Sequence, residues 1–172
     1  MTTISPLAET DIDDQYAAIE RSRTLLSPFA VWLNDDYDYA KSAEWVSEAV
    51  ANAEAGREHH FAIRAEDGSF AGMVGLNAVD TANRTAEIGY WVAIDRIGCG
   101  HATRAAGLLI DWASQTLGIE RFELMIRIDN ARSVAVARRI GASREATLSR
   151  RLRDRDGNAY DAGLWVVLRP DC

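Results

Sequence analysis

Apolar residues recur along this chain with two different periods, and the switches between them mark out its elements. Over residues 11–22, Ile12, Tyr16 and Ile19 fall on one helical face, with Asp11 placed as a cap. A polar and aromatic stretch at 27–37 reads as a loop. Residues 40–55 predict a second helix, in which Trp45, Val46 and Val50 form the buried stripe and Gly56 supplies the stop. The period then shortens to two, and 60–65, 70–79 and 84–92 predict three strands. Asp67-Gly68 marks a hairpin turn, and Gly72 and Gly75 allow a bulge or close packing inside the second strand. Beyond Gly98 the helical period returns, with Ala105, Leu108, Leu109, Trp112 and Leu117 on one side of 102–117 and Gly118 closing it. A strand at 121–128 alternates Phe122, Leu124 and Ile126. A helix at 131–140 follows, with Asn130 as a plausible cap and Gly141 just past its end. Strands at 145–152 and 159–168 flank a turn at 154–158. Helix, helix, three antiparallel strands, helix, strand, helix and two strands make an α+β chain with a mixed sheet.

Composition narrows the class. The chain has 172 residues with no internal repeat, low-complexity tract or Pro/Gly-rich linker, so one domain over 1–172 is expected. With 48% hydrophobic and 26% charged residues, it has the material for a core and is not a disordered chain. The first sixteen residues lack the apolar core of a secretory leader, and no apolar run is long enough for a bilayer, so a cytoplasmic protein without membrane attachment is expected. A formal net charge of −7 argues against a nucleic-acid partner and suits a cationic one, such as an amine or a basic peptide. Cys99 and Cys172 give no disulfide framework, and Cys172 is expected to be a free, exposed thiol. His59 and His60 open a strand without further ligands nearby, so no metal site is expected. Monomer and homodimer both remain open.

The chemistry concentrates where the period changes. Ala86-Glu87-Ile88-Gly89-Tyr90-Trp91-Val92 runs into Ile97-Gly98-Cys99-Gly100-His101-Ala102-Thr103, a strand, a glycine loop and the start of an amphipathic helix. Helix N-termini present unpaired N–H groups and the positive end of the dipole, which favours a phosphate. Gly98 and Gly100 remove the Cβ atoms that would hold a diphosphate away. The spacing is not the dinucleotide fingerprint, and taken alone it supports only an anion site.

Further residues extend the pattern from about Leu7 to Leu168: Phe61-Ala62-Ile63-Arg64, Gly75-Leu76-Asn77, Asp129-Asn130-x-x-Ser133, Gly141 and Tyr160-Asp161…Leu164-Trp165. In order and spacing these resemble the GNAT superfamily, and specifically its ribosomal-protein (Rim-type) N-acetyltransferase branch. The resemblance implies a strongly twisted mixed sheet of six or seven strands with about four flanking helices, two neighbouring strands splaying apart to admit pantetheine. It implies acetyl-CoA as co-substrate, no metal, and a primary amine as acceptor, foremost a protein or peptide N-terminal α-amine attacking directly in a ternary complex. A small amine (a polyamine, amino sugar or amino acid) and a non-catalytic acyl-CoA-binding domain are the alternatives. Coenzyme contacts are implied at Tyr90, Trp91, Val92, Ile97, Gly98, Cys99, Gly100, His101, Ala102, Thr103, Asn130 and Ser133. The family's usual Arg or Gln at the head of the loop is Ile97 here, with Arg96 one residue earlier, and this departure predicts weaker coenzyme binding.

For catalysis, the resemblance places a general base at Glu87 and a donor to the leaving sulfur at Ser133. Each also has a structural reading: Glu87 as a strand-end carboxylate, and Ser133 and Asn130 as residues suited to a helix start. Asp35, Asp36 and Asp38 either draw in a cationic acceptor or form a solvated loop. Trp32, Trp45 and Tyr37 line the acceptor pocket or pack in the core.

Overall fold

The computed structural model describes residues 1–169, so the expectation for Cys172 lies outside the described residues. The chain opens with β1 (Thr3–Pro6) and a single 3-10 turn (Glu9–Asp11), followed by α1 (Ile12–Leu26) and α2 (Tyr39–Glu54). Three strands come next: β2 (His59–Arg64), β3 (Phe70–Asp80) and β4 (Thr85–Val92). The remainder alternates as α3 (His101–Leu117), β5 (Arg121–Arg127), α4 (Ala131–Arg139), β6 (Ser143–Arg153) and β7 (Ala159–Leu168). All seven strands form one mixed sheet in the order β1-β2-β3-β4-β5-β7-β6. Every neighbouring pair is antiparallel except β4 with β5.

Alternation along the strands divides the core between two faces. Phe61, Ile63, Val74, Leu76, Ala86 and Ile88 point to one side, where Ala105, Leu109, Ile110 and Ala113 of α3 cover them. Ala62, Met73 and Trp91 point to the other side, against Ala18 of α1 and Val46 and Ala49 of α2. One residue of register therefore decides which helix pair a side chain meets.

Three features depart from the periodic reading. The edge strand β1 is absent from it, because four residues with a half-buried pattern carry too little alternation to register. Asp11 precedes α1 but makes no capping bond. Its carboxylate is buried, accepts a hydrogen bond from the Ala8 N–H at 3.0 Å, and is ion-paired with Arg64 of β2. The end of β3 shifts register between Asn77 and Asp80, with Ala78 at φ 48°, a bulge with no glycine to announce it. By contrast, Gly72 sits at φ 148° where an added Cβ would lie 2.2 Å from the Trp91 carbonyl oxygen, the close approach its position predicted.

Candidate active site

The parallel pair β4–β5 lasts only three residues: Thr85↔Arg121, Ala86↔Phe122 and Glu87↔Glu123. Beyond Glu87 the two strands part, so β4 groups facing β5 from Ile88 onward have no ladder partner on that side. A groove of about 1960 Å³ opens at this point. The residues expected at a coenzyme site come together there: Glu87, Tyr90, Trp91, Val92, the whole run Ile97 to Thr103, Asn130 and Ser133 all line it. Trp32, Trp45 and Tyr37 line it too.

The loop at one end is built for an anion. Gly98 and Gly100 adopt φ 79° and 78°, left-handed conformations that glycine takes at no steric cost. A Cβ on either would meet nothing within 4 Å, so the glycines are required by the backbone path and leave the space above them open. Gly100 precedes α3 without any side-chain cap, and the first intrahelical bond is from the Arg104 N–H to the Gly100 carbonyl. The N–H groups of the first turn thus remain for a ligand. His101 ties the loop to the N-terminus through Nδ1, 3.0 Å from the Thr2 hydroxyl. Arg96 lines the groove while lying 3.6 Å from Asp67 and 3.8 Å from Asp95. Arg104, Arg132 and Arg139 also line it, and none is paired with an acid among the described residues. In a chain of net charge −7, this end of the groove is locally cationic.

Across the gap, α4 presents its first turn. Asn130 Oδ1 accepts from the Ser133 N–H at 3.1 Å, so the cap is real, and the amide N–H₂ of Asn130 is left for a ligand. The Tyr90 hydroxyl donates to the Ser133 carbonyl at 3.4 Å. Burial raises the Tyr90 pKa, and the hydrogen bond with the Ser133 side chain partly offsets this. Tyr90 and Ser133 therefore meet at the groove wall, a contact the linear pattern does not reveal.

Residues 87, 89 and 91 point to the opposite face of β4. Glu87 is solvent-exposed, yet desolvation by the surrounding protein pushes its pKa up; Arg151 pulls it back and Glu123 adds to the rise. Gly75 and Gly89, directly paired, form a bare floor beside it. The acidic groups that line the groove with it are Glu44 and Glu48 of α2, Glu58 and Glu87. Asp35, Asp36 and Asp38 do not line the groove: Asp35 pairs with Arg155 at 3.2 Å, and Asp38 caps α2 through the Lys41 N–H at 2.9 Å. The missed signal was the spacing of Lys41, Glu44, Trp45 and Glu48, one helical stripe of polar and aromatic residues.

A splayed parallel pair leading into an uncapped glycine loop is the arrangement that comparison with known proteins resolves. The model of the acetyltransferase (GNAT) domain matches residues 2–143. The chain belongs to the GNAT acetyltransferase family. It is 30% identical over 142 residues to the ribosomal-protein-serine acetyltransferase of Escherichia coli (strain K12), covering 83% of this chain and 79% of that relative. Over 75 residues it is 43% identical to YdaF of Bacillus subtilis (strain 168), a match spanning 44% of this chain and 41% of that protein's length. The structure of Mycobacterium smegmatis RimJ in complex with CoA-disulfide superposes with a TM-score of 0.87 at 28% identity, covering 97% of this chain and 81% of that one. This GNAT chain is accordingly an acetyl-CoA-dependent N-acetyltransferase. Its groove fits the co-substrate on structural grounds: an uncapped helix start, cationic walls and a strand edge without a ladder partner suit diphosphate and pantetheine amides in turn.

Proposed function

We propose that this GNAT enzyme acetylates the α-amine of a protein or peptide N-terminus in the cytoplasm, with residues 1–172 acting as one domain. The observation that carries the reading is the division of the groove between two faces of β4. Glu87 is on the α1/α2 side, with its pKa raised, while Tyr90 and Ser133 are on the other. Acetyl-CoA supplies an activated acyl thioester. The backbone of residues 98–103 takes the diphosphate, Asn130 offers its amide N–H₂ to pantetheine, and the open edge of β4 offers N–H groups to polarise the thioester carbonyl.

Glu87 accepts the ammonium proton, directly or through a water, leaving the nitrogen lone pair free to form the new C–N bond; as the C–S bond breaks, a second nitrogen proton passes to the departing sulfur, releasing the amide and coenzyme A as its thiol. Ser133, with Tyr90 behind it, donates a hydrogen bond to the departing sulfur. An exposed α-amine has a pKa of about 7.7–8.0 against about 10.4 for lysine, so a carboxylate of modestly raised pKa serves the former far better. The acidic lining from Glu44, Glu48 and Glu58 suits a cationic chain end. The name of the E. coli relative supports a protein acceptor.

The test is thiol release from acetyl-CoA with peptides of varied N-termini, in the wild type and in Glu87→Gln and Ser133→Ala. Peptide-dependent release that falls in both variants is expected. Wild-type rates in both would overturn the residue roles, and turnover of small amines alone would overturn the acceptor.

A further inference from the structure

His60 is a strand residue that the catalytic scheme above does not use. It pairs with Gly75 across β2–β3, and Gly75 pairs with Gly89 across β3–β4, so the three share one lateral row on the face that carries Glu87. Its side chain is mostly buried, with only 11% exposed, and sits edge-on to Trp45 at 5.0 Å between ring centroids. The imidazole leans over β3: a Cβ built on Gly75 would lie 2.2 Å from its Nδ1. On the far side of the ring, Nε2 lies 3.3 Å from Glu58 Oε2. His60, Glu58, Gly75, Gly89 and Glu87 all border the groove.

A carboxylate can only accept, so the contact with Glu58 fixes the proton on Nε2 and leaves a lone pair on Nδ1. That lone pair lies over the glycine floor. Burial lowers the His60 pKa, with Glu58 opposing, which favours the neutral ring that a hydrogen-bond acceptor requires. Glu87 lies on β4, two strands over and two residues along from Gly89, ~12 Å from His60 between Cα atoms, and both side chains rise from the same face of the sheet with room between them for a chain terminus. A neutral primary amine has two N–H groups and one lone pair. Two acceptors, one on each side, fix both N–H groups and so fix where the lone pair points.

We propose that His60, oriented by Glu58, is an acceptor-binding residue that takes one N–H of the incoming amine while Glu87 takes the other, and that this pair makes the enzyme selective for primary over secondary amines. The proposal rests on the function proposed above only in placing the amine beside Glu87. Gly75 is glycine in this scheme because any side chain there would displace the imidazole.

Two measurements test it, and they fail separately from the N-terminal reading. The first is the tautomer of His60 in the coenzyme A-bound protein, read from two-dimensional ¹⁵N–¹H spectra of the histidine rings. Protonation on Nε2 with a bare Nδ1 is expected, and a proton on Nδ1 overturns the proposal whatever the acceptor is. The second is the ratio of kcat/KM for a primary amine to that for its N-methyl counterpart, on whichever amine the wild type turns over. An alanine-initiated peptide and its N-methylalanine analogue come first, then small amines. His60→Phe keeps the ring against Trp45 but removes the acceptor, and should lower this ratio about tenfold with coenzyme affinity unchanged. Gly75→Ala should lower it similarly by pushing the imidazole aside. His60→Asn, whose amide oxygen can occupy the Nδ1 position, should restore part of it. An unchanged ratio in His60→Phe overturns the proposal, even if both absolute rates fall.

Discussion

Glu87 is the side chain whose environment most directly predicts behaviour. Its raised pKa means that the neutral form is favoured, so the base form is lost on acidification at a higher pH than for an ordinary glutamate near about 4.3. The acid limb of kcat/KM should therefore lie above that value. Glu87→Gln should lower kcat/KM about 10²-fold and abolish that limb, read from a pH profile in both proteins. The stability sign runs the other way. Ionising a carboxyl of raised folded-state pKa costs stability as pH climbs from the ordinary value through the raised one, so Glu87→Gln should melt slightly higher than the wild type at neutral pH. The phosphate loop makes a second residue-scale prediction. Gly100→Ala imposes a left-handed conformation on an L-residue without any clash, so it should cost about 1–2 kcal/mol and weaken coenzyme A binding, by denaturation and titration calorimetry. At this scale the linear pattern named Glu87, the loop and the α4 start correctly as neighbours. For the acidic stretch at 35–38 the structure favours the solvated-loop reading, since Asp35 pairs with Arg155 and Asp38 caps α2, while Glu44 and Glu48 of α2 line the groove instead.

Most elements with a strong period were legible to within a residue or two, although α1 runs four residues past the expected end at 22, and those without one were not. The strand at 159–168 coincides with β7 and the helix at 102–117 with α3 save for its first residue, since alternation and the Gly118 stop leave little freedom. The edge strand β1 and the bulge at Ala78 escaped notice because each is fixed by a partner strand and not by its own residues. The loop between α1 and α2 also draws its order from a distant residue. Arg127 of β5 stacks 3.5 Å from the Tyr160 ring centroid and 4.9 Å from that of Phe29. It also donates to the Pro28 carbonyl at 2.7 Å and pairs with Asp129 at 2.6 Å. Phe29 and Trp32 of that loop line the groove, so the clamp holds part of its wall. Arg127→Ala should destabilise the fold by about 2 kcal/mol and speed amide exchange over residues 27–38, with the affinity for coenzyme A retained.

At the scale of the molecule, an acidic chain has gathered in one groove both carboxylates and arginines that have no acidic partner among the described residues. Arg104, Arg132 and Arg139 line the groove, and in the proposed binding mode they offset the missing basic or amide side chain at Ile97. Coenzyme A binding should therefore weaken with added salt, and the double substitution Arg132→Ala with Arg139→Ala should flatten that dependence, measured by titration at several ionic strengths. In the proposed function the acidic lining takes a cation of low enough pKa for Glu87 to deprotonate, which is the basis for an N-terminal acceptor. One peptide tests this directly: a basic peptide with a free α-amine and an internal lysine, incubated with the protein and acetyl-CoA and sequenced by fragment mass spectrometry. A single acetyl group on the N-terminal nitrogen is the predicted result. Acetylation of the lysine side chain instead, or an unmodified peptide while small amines turn over, would contradict it.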